Sequence, residues 1–202
     1  MSNWAERLRF ARKSEPAHRS FLRCRKVHGE GTIGLEPNYE AGDPDLFPGL
    51  LSSAEQYLGT LGIGELKRIS TEQGSDGLPL EDVTAFIQVS GSLQGGFLFS
   101  ADHSLSRELA RKFMIEEITD LEAAQYAVET VAEVANVITA ASLNSREETG
   151  IYLGNPLMIL SRDMGVRAGR YETQAYETPS GRCRFFYIPK MEKAELASIV
   201  TV

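Results

Sequence analysis

Several patterns that define common catalytic sites are missing from this 202-residue sequence. It has only two cysteines, Cys24 and Cys183, which excludes a disulfide framework and favours a reducing, cytoplasmic location. Its three histidines are too dispersed for metal-ligand spacing, and there is no Cys-x-x-Cys pair. No Gly-rich phosphate loop with its lysine and no hydrolase nucleophile elbow occur. We therefore expect this chain to bind no metal or cofactor of its own.

Long hydrophobic runs are missing as well. No apolar run approaches the roughly 18 residues that a membrane span needs, and the N-terminus lacks the apolar core of a signal peptide. Hydrophobic residues make up 42% of the chain and charged residues 24%, which are ordinary values for a globular protein. We expect a globular protein without a membrane partner.

The charge is divided unevenly along the chain. Residues 1–28 hold eight Lys and Arg against two Glu, a balance of +6, whereas the rest has 13 basic and 26 acidic residues, a balance of −13. An acidic body repels polyphosphate, so nucleic acid is not expected as its partner. Residues 29–45 are rich in Gly, Pro, Asn and Asp, as in a linker. The sequence thus predicts a basic N-terminal arm and linker, 1–45, and one domain, 46–202. The arm either folds against the acidic body, which we favour, or touches a partner, or is disordered.

Hydrophobic periodicity predicts an α+β domain. Helices are expected at about 47–61, 102–114, 119–143 and 190–199, and β-rich stretches at 63–70, 83–90, 93–100, 150–153, 157–162, 170–177 and 182–188. The turns Gly91-Ser92 and 179–181 join two hairpins, and Gly95-Gly96 indicates a bulge or a close approach by another element. The order helix, strand, hairpin occurs twice. This is either an internal pseudo-repeat or an α+β domain with two unrelated hairpins.

The long helix at 119–143 opens with a capping box, Thr119 and Glu122. Its expected buried stripe is Leu121, Ala124, Val128, Val131, Ala135 and Ile138. On another side of the helix Glu129, Glu133 and Asn136 project together, with Ala140 one turn beyond and the small Ala132 alongside. This polar face is either a surface that another protein approaches closely or an ordinary solvated helix face.

The segment Glu129-Thr-Val-Ala-Glu133-Val-Ala-Asn136 resembles the signature Asp/Ser-x-x-x-Glu-x-x-Asn of the chemotaxis phosphatases CheC and CheX. The Phe-Pro-bearing first helix, Phe47-Pro48-Gly49-Leu50, and the Gly-rich hairpin at 89–96 are similar to that family as well. The resemblance covers about residues 46–190. The sequence is thus identified as CheX-like, in the CheC/CheX/FliY superfamily.

The resemblance implies a largely antiparallel sheet with two long helices packed on it. It also implies hydrolysis of the phospho-aspartate of a CheY-like response-regulator receiver in chemotaxis or two-component signalling. Asn136 would orient the attacking water, and Glu133 would pair with the receiver's active-site lysine. The receiver itself would supply the acid pocket and Mg²⁺. Glu129, Ala132 and Ala140 would border the docking surface.

The resemblance further implies a homodimer formed through sheet edges, for which the stretch 182–188 is a candidate edge. Two departures stand out: Glu129 replaces Asp or Ser, and Ala140 replaces the glycine that commonly follows the motif. In the first helix, Ser52, Glu55 and Leu58 stand where a second motif would end in Asn, so that copy is expected to be inactive. The alternatives are a catalytically inactive module that binds a receiver or a flagellar-switch component, and a plain α+β scaffold.

Overall fold

The computed structural model of this chain describes residues 45–74, 77–144, 150–160, 168 and 170–191. Three helices are present in them: α1 (Leu46–Thr60), α2 (His103–Phe113) and α3 (Asp120–Asn144). Seven strands accompany them: β1 (Lys67–Gly74), β2 (Val83–Gly91), β3 (Gly95–Ala101), β4 (Ile151–Leu153), β5 (Leu157–Ile159), β6 (Tyr171–Thr178) and β7 (Gly181–Pro189). The predicted arm, apart from Asp45, lies outside the described residues, so the division into 1–45 and 46–202 stays a prediction.

All seven strands form one antiparallel sheet in the order β1-β6-β7-β3-β2-β4, with β5 also paired to β2. The hairpins β2–β3 and β6–β7 lie side by side through the β3–β7 pair. The single strand β1 of the first half pairs with β6 of the second half, while β4 and β5 of the second half pair with β2 of the first. From either edge inward, the sheet therefore has the non-hairpin strand or strands of one half, followed by the hairpin of the other half. This symmetry supports the internal pseudo-repeat over two unrelated hairpins.

The main hydrophobic core lies between the helices and one face of the sheet. From α1 it takes Leu50, Ala54 and Leu58, and from α2 it takes Leu105 and Leu109. Successive side chains of a strand point to opposite faces of the sheet. The central strands therefore contribute alternate residues to this core: Ala85, Ile87, Phe97, Phe99, Phe185 and Tyr187. Burial of these side chains fixes the helices on the sheet.

The opposite face of the sheet is covered by connecting segments. Phe86, Leu98 and Phe186 on the strands pack there with Leu78 and Leu80 from the segment before β2. The element that closely approaches Gly95-Gly96, as predicted, is the Phe86 ring of the neighbouring strand β2. A Cβ on Gly96 would lie 2.3 Å from that ring. No bulge occurs there, since the β2–β3 register is continuous.

Some sequence predictions are corrected by the structure. The stretch 182–188 is wrong as a sheet edge, because β7 lies between β6 and β3. The first strand runs from Lys67 to Gly74, four residues later than predicted, and the β2–β3 connection has three residues rather than two. The α+β fold itself is confirmed: in the described residues the two long helices α1 and α3 and the shorter α2 lie where helices are predicted. Of the predicted helix 190–199, Lys190 and Met191 are not helical and the remainder lies outside the described residues.

Candidate functional site

The site helix α3 begins as its sequence predicts. The Thr119 backbone N–H donates to the Glu122 carboxylate at 2.8 Å, and the Glu122 N–H donates to the Thr119 hydroxyl at 3.3 Å. These reciprocal bonds satisfy backbone donors that the first helical turn leaves without partners. The Thr119 backbone N–H and hydroxyl both donate to the Glu122 carboxylate and so lower its pKa. The helix then runs 25 residues without Gly or Pro. It is a rigid element on which to hold functional side chains.

The motif residues lie together on the outer side of α3. Glu129 is exposed, and Glu133 and Asn136 are partly exposed. The opposite side is fixed in the core by Val134 and Ile138, both of which are buried. The spacing of four and three residues places the two carboxylates and the amide on neighbouring turns of one face. The structure thus agrees with the predicted placement of these three side chains on one outward face.

Two small residues border this face. Ala132 and Ala140 are each partly exposed and lie within a turn of Asn136. Because alanine side chains are short, they leave space around the Asn136 amide, and a partner can approach it closely. The predicted buried stripe of the helix is correct from Val131 onward but wrong at its start, because Leu121 is 70% exposed and Ala124 is exposed. The residues buried there instead are Ala123 and Ala127.

Tyr57 on α1 lies near Glu133 of the motif. Burial raises the pKa of the Tyr57 phenol, and the negative charge of the nearby Glu133 carboxylate raises it further. Its ring packs against the main core. Tyr57 thus stays neutral over the physiological range and presents a polar hydroxyl group near Glu133. No residue pattern in the sequence reveals this proximity, because it depends on how α1 packs beside α3.

The equivalent region of α1 is committed to the fold. Leu58, which stands where a second motif would have Asn, is fully buried. The Glu55 carboxylate accepts hydrogen bonds from Arg68 Nη2 at 2.7 Å and from the Tyr176 hydroxyl at 2.8 Å. Burial would raise the pKa of Glu55, but these two hydrogen bonds and the charge of Arg68 outweigh it and leave the pKa lowered. This arrangement agrees with the expectation of a single motif copy.

Within the described ranges no group of three or more His, Cys, Asp or Glu side chains is arranged to hold a metal ion. In the same residues no helix is both long and apolar enough to cross a membrane. The motif face presents two carboxylates, an amide and small neighbours on a rigid helix. Such groups can orient and pair with groups that a partner brings.

Fold and site together define the class of protein as an α+β domain of the CheC-like fold. The CheC-like superfamily protein from Shewanella sp. PV-4 superposes with a TM-score of 0.60 at 18% identity, over 72% of this chain and 97% of that one. The chemotaxis protein CheX from Vibrio vulnificus gives a TM-score of 0.60 at 17% identity, covering 71% and 98%. CheX in the CheX–CheY–BeF₃–Mg²⁺ complex from Borrelia burgdorferi gives a TM-score of 0.55 at 18% identity, over 73% of this chain and 99% of that one. At these identities the likeness establishes the fold.

Part of the chain also matches a family model. Residues 83–176, which include the whole of α3, match the family described as chemotaxis phosphatase CheX. A comparison with curated proteins gave no match. The resemblance drawn from the motif is thus confirmed: this chain is CheX-like, and its fold is that of the CheC and CheX proteins.

Proposed function

We propose that this protein accelerates hydrolysis of the phospho-aspartate of a CheY-like receiver domain, with Asn136 and Glu133 as the residues that act. The observation that carries the proposal is the joint exposure of Glu129, Glu133 and Asn136 on one face of a rigid, capped helix. The match to the CheX family over the same helix supports it. A CheX protein of this fold has also been crystallised with CheY, BeF₃ and Mg²⁺.

Asn136 is suited to position a water molecule. Its amide has both a donor and an acceptor on a short side chain, so it can accept a hydrogen bond from the water and donate one to a phosphoryl oxygen. Phosphoryl transfer depends chiefly on positioning and on stabilisation of charge. The receiver supplies the phospho-aspartate and Mg²⁺, which neutralises charge on the phosphoryl group. Asn136 needs only to hold the water in line with the bond that breaks.

Glu133 is suited to fix the docked geometry. It lies one turn before Asn136 on the same face, and a carboxylate there pairs with the active-site lysine of a receiver. Glu129 lies one turn further toward the N-terminus and borders the same contact. Ala132 and Ala140 let the receiver approach the amide closely. A cytoplasmic location and a homodimer form part of the same proposal.

The test is the decay of phosphorylated receivers encoded in the source genome, with Mg²⁺ present and phosphate release as the readout. We expect the wild-type protein to accelerate decay of at least one receiver. Asn136→Ala should lose about 100-fold in kcat, the order expected when a positioned polar group is removed from a reacting centre. Asn155→Ala, an exposed asparagine in the β4–β5 connection, is the matched control and should be unaffected. An Asn136→Ala protein as active as wild type would rule out the proposed role.

A second candidate function is supported by Glu129 and Ala140, the two departures from the family pattern. Compared with the Asp or Ser and the Gly of the family pattern, Glu129 is longer and Ala140 carries one more methyl group, so both leave less room for a receiver than that pattern does. If they block catalysis, the protein binds a receiver or a flagellar-switch component without accelerating hydrolysis. Binding with unchanged decay rates would identify this module, and a Glu129→Asp, Ala140→Gly double variant should then gain activity.

A further inference from the structure

Tyr57 belongs to the row of side chains with which α1 faces α3. Leu50 of α1 lines a small internal void together with Ala135, Ile138 and Thr139 of α3, so this side of α1 is turned toward that helix. Tyr57 follows Leu50 by seven residues, close to two helical turns, and therefore projects from the same side of α1. The position of its ring beside α3 thus follows from the packing of the two helices.

The other flank of α1 is held by the sheet. Glu55 accepts hydrogen bonds from Arg68 on β1 and from Tyr176 on β6. Tyr57 comes two residues after Glu55, which places the two side chains about 160° apart around the helix axis. Tyr57 therefore lies on the flank away from β1 and β6. The charge of Glu133 on α3 raises the pKa of the Tyr57 phenol, which agrees with this position.

The Tyr57 hydroxyl is available to a further group. Tyr57 is partly exposed, and among the residues that the structure describes its hydroxyl makes no hydrogen bond. Glu133 beside it is partly exposed as well. A phenol hydroxyl both donates and accepts, whereas a carboxylate accepts only. The two side chains together therefore suit a positively charged group that carries several N–H donors.

The other half of the pseudo-repeat contains a complete cluster of this kind. Glu55 stands in the α1 copy of the motif where Glu133 stands in α3. Its carboxylate accepts from the Arg68 guanidinium at 2.7 Å and from the Tyr176 hydroxyl at 2.8 Å, so a glutamate, a phenol and a cation come together. At Glu133 the glutamate and the phenol of Tyr57 are again neighbours. Within the described ranges no side chain of this protein forms an ion pair with Glu133, so a partner is the source of the cation.

We propose that Tyr57 is a further receiver-binding residue, whose hydroxyl joins the Glu133 carboxylate in holding the active-site lysine of the receiver. The inference rests on the proposed function for its partner and adds a residue from α1, outside the motif helix. A lysine ammonium group has three N–H donors, and each donor that docking removes from water needs an acceptor. The Tyr57 oxygen supplies one acceptor beside those of Glu133. Two helices then fix the receiver's lysine, while Asn136 acts at its phosphoryl group.

The test removes the hydroxyl and keeps the ring. Tyr57→Phe retains the packing of the ring against the main core. Tyr152→Phe removes a hydroxyl from the exposed edge strand β4 and is the matched control. Binding is measured to receivers of the source genome loaded with beryllofluoride and Mg²⁺, and to the same receivers with the active-site lysine replaced by methionine. Urea denaturation measures the stability of each variant.

We expect Tyr57→Phe to weaken receiver binding about tenfold, the order for one hydrogen bond to a charged group, and Tyr152→Phe to bind within about twofold of wild type. With the lysine-substituted receiver Tyr57→Phe should bind as the wild-type protein does, because the hydroxyl has lost its partner. Tyr57→Phe combined with Glu133→Gln should lose less than the two separate effects predict, since both groups bind one ammonium. In the hydrolysis assay Tyr57→Phe should raise KM and leave kcat unchanged, because the hydroxyl does not touch the reacting atoms.

The outcomes separate the role of Tyr57 from the proposed function. Hydrolysis with unchanged KM and affinity in Tyr57→Phe overturns the role of Tyr57 and leaves the phosphatase intact. An equal loss with the lysine-substituted receiver, or a Tyr57→Phe protein that no longer folds, assigns the hydroxyl to the fold and also overturns that role. Lysine-dependent weakening by Tyr57→Phe, without any hydrolysis by the wild type, supports Tyr57 and overturns the phosphatase. If no receiver of the genome binds the wild-type protein, both are overturned.

Discussion

At the residue scale, Glu55 shows how a residue that resembles part of a motif is instead used for stability. Arg68 on β1 and Tyr176 on β6 both donate to its carboxylate, so it joins α1 to two strands of the sheet. The Tyr176 pKa is raised, first by burial and then by Glu55, so the phenol remains a hydrogen-bond donor at neutral pH. A glutamate held in this way is not available to a partner.

This arrangement predicts a pH-dependent contribution to stability. Because the folded state lowers the pKa of Glu55 below its ordinary 4.5, its contribution is present above that value and is lost as the pH falls through the folded-state pKa. Glu55→Gln should therefore lower the free energy of unfolding at pH 7 and have a smaller effect below about pH 4. Urea denaturation at a series of pH values measures the difference.

The matched control for Glu55 is Glu65→Gln, an exposed carboxylate that forms no ion pair among the described residues. It should change stability little at either pH. A Glu55→Gln difference that stays constant from pH 7 down to pH 3.5 would contradict the linkage and indicate that the carboxylate contributes by shape alone.

At the element scale, the sequence predicts the two hairpins, the capping box of α3 and the outward position of Glu129, Glu133 and Asn136. Local pattern suffices for these, because each depends on neighbours within a few residues. The buried stripe of α3 is mispredicted at its start because the side chains buried there are small: Ala123 and Ala127 are buried and Leu121 is not. Hydrophobicity ranks leucine first, whereas close packing of α2 on α3 selects alanine.

The turn between β6 and β7 is tied to helix α2 by one carboxylate. Asp102 caps α2 by accepting from the Leu105 N–H at 2.8 Å, and it also accepts from the Arg182 N–H at 2.8 Å. Gly181 lies against it with a φ of 142°, and a Cβ there would come within 2.3 Å of the Asp102 carboxylate. Glycine is needed at this turn both for its backbone angle and for the close approach.

We therefore expect Gly181→Ala to lower the free energy of unfolding by about 1–3 kcal/mol, through strain at the turn and displacement of the cap. Gly59→Ala is the control, since no atom lies within 4 Å of its Cβ position and its place in α1 favours alanine. That variant should stabilise the protein by up to about 1 kcal/mol. Chemical denaturation measures both, and a Gly181→Ala protein as stable as wild type would contradict the account.

At the scale of the whole molecule, the arrangement of the two halves is what sequence reasoning misses. The pairing of β3 with β7 joins residues far apart in the chain, and no local pattern encodes it. For that reason the stretch 182–188, which is rich in aromatics and has two arginines at its start, gives no sign that it is central. The Tyr57–Glu133 proximity shares this origin, because α1 and α3 come from different parts of the chain.

The sheet order determines which strands can form the dimer interface that the family resemblance implies. Among the described strands the open edges are β1 on one side and β4 with β5 on the other. β1 is charged, with Lys67 and Arg68 exposed, and it has an irregular register after Arg68, features that discourage edge pairing. The other edge exposes apolar groups, with Tyr152 66% exposed and Leu157 37% exposed.

We predict a homodimer formed through the β4–β5 edge, with a mass in solution of twice the chain mass of 22.3 kDa. Tyr152→Lys should shift the protein to the monomer at the same concentration, because a lysine on an edge strand opposes pairing with another edge. Ile69→Lys, an exposed apolar residue on the opposite edge, is the matched control and should remain dimeric. Light scattering coupled to size-exclusion chromatography measures all three. A monomeric wild type contradicts the dimer, and a monomeric Ile69→Lys with dimeric Tyr152→Lys moves the interface to β1.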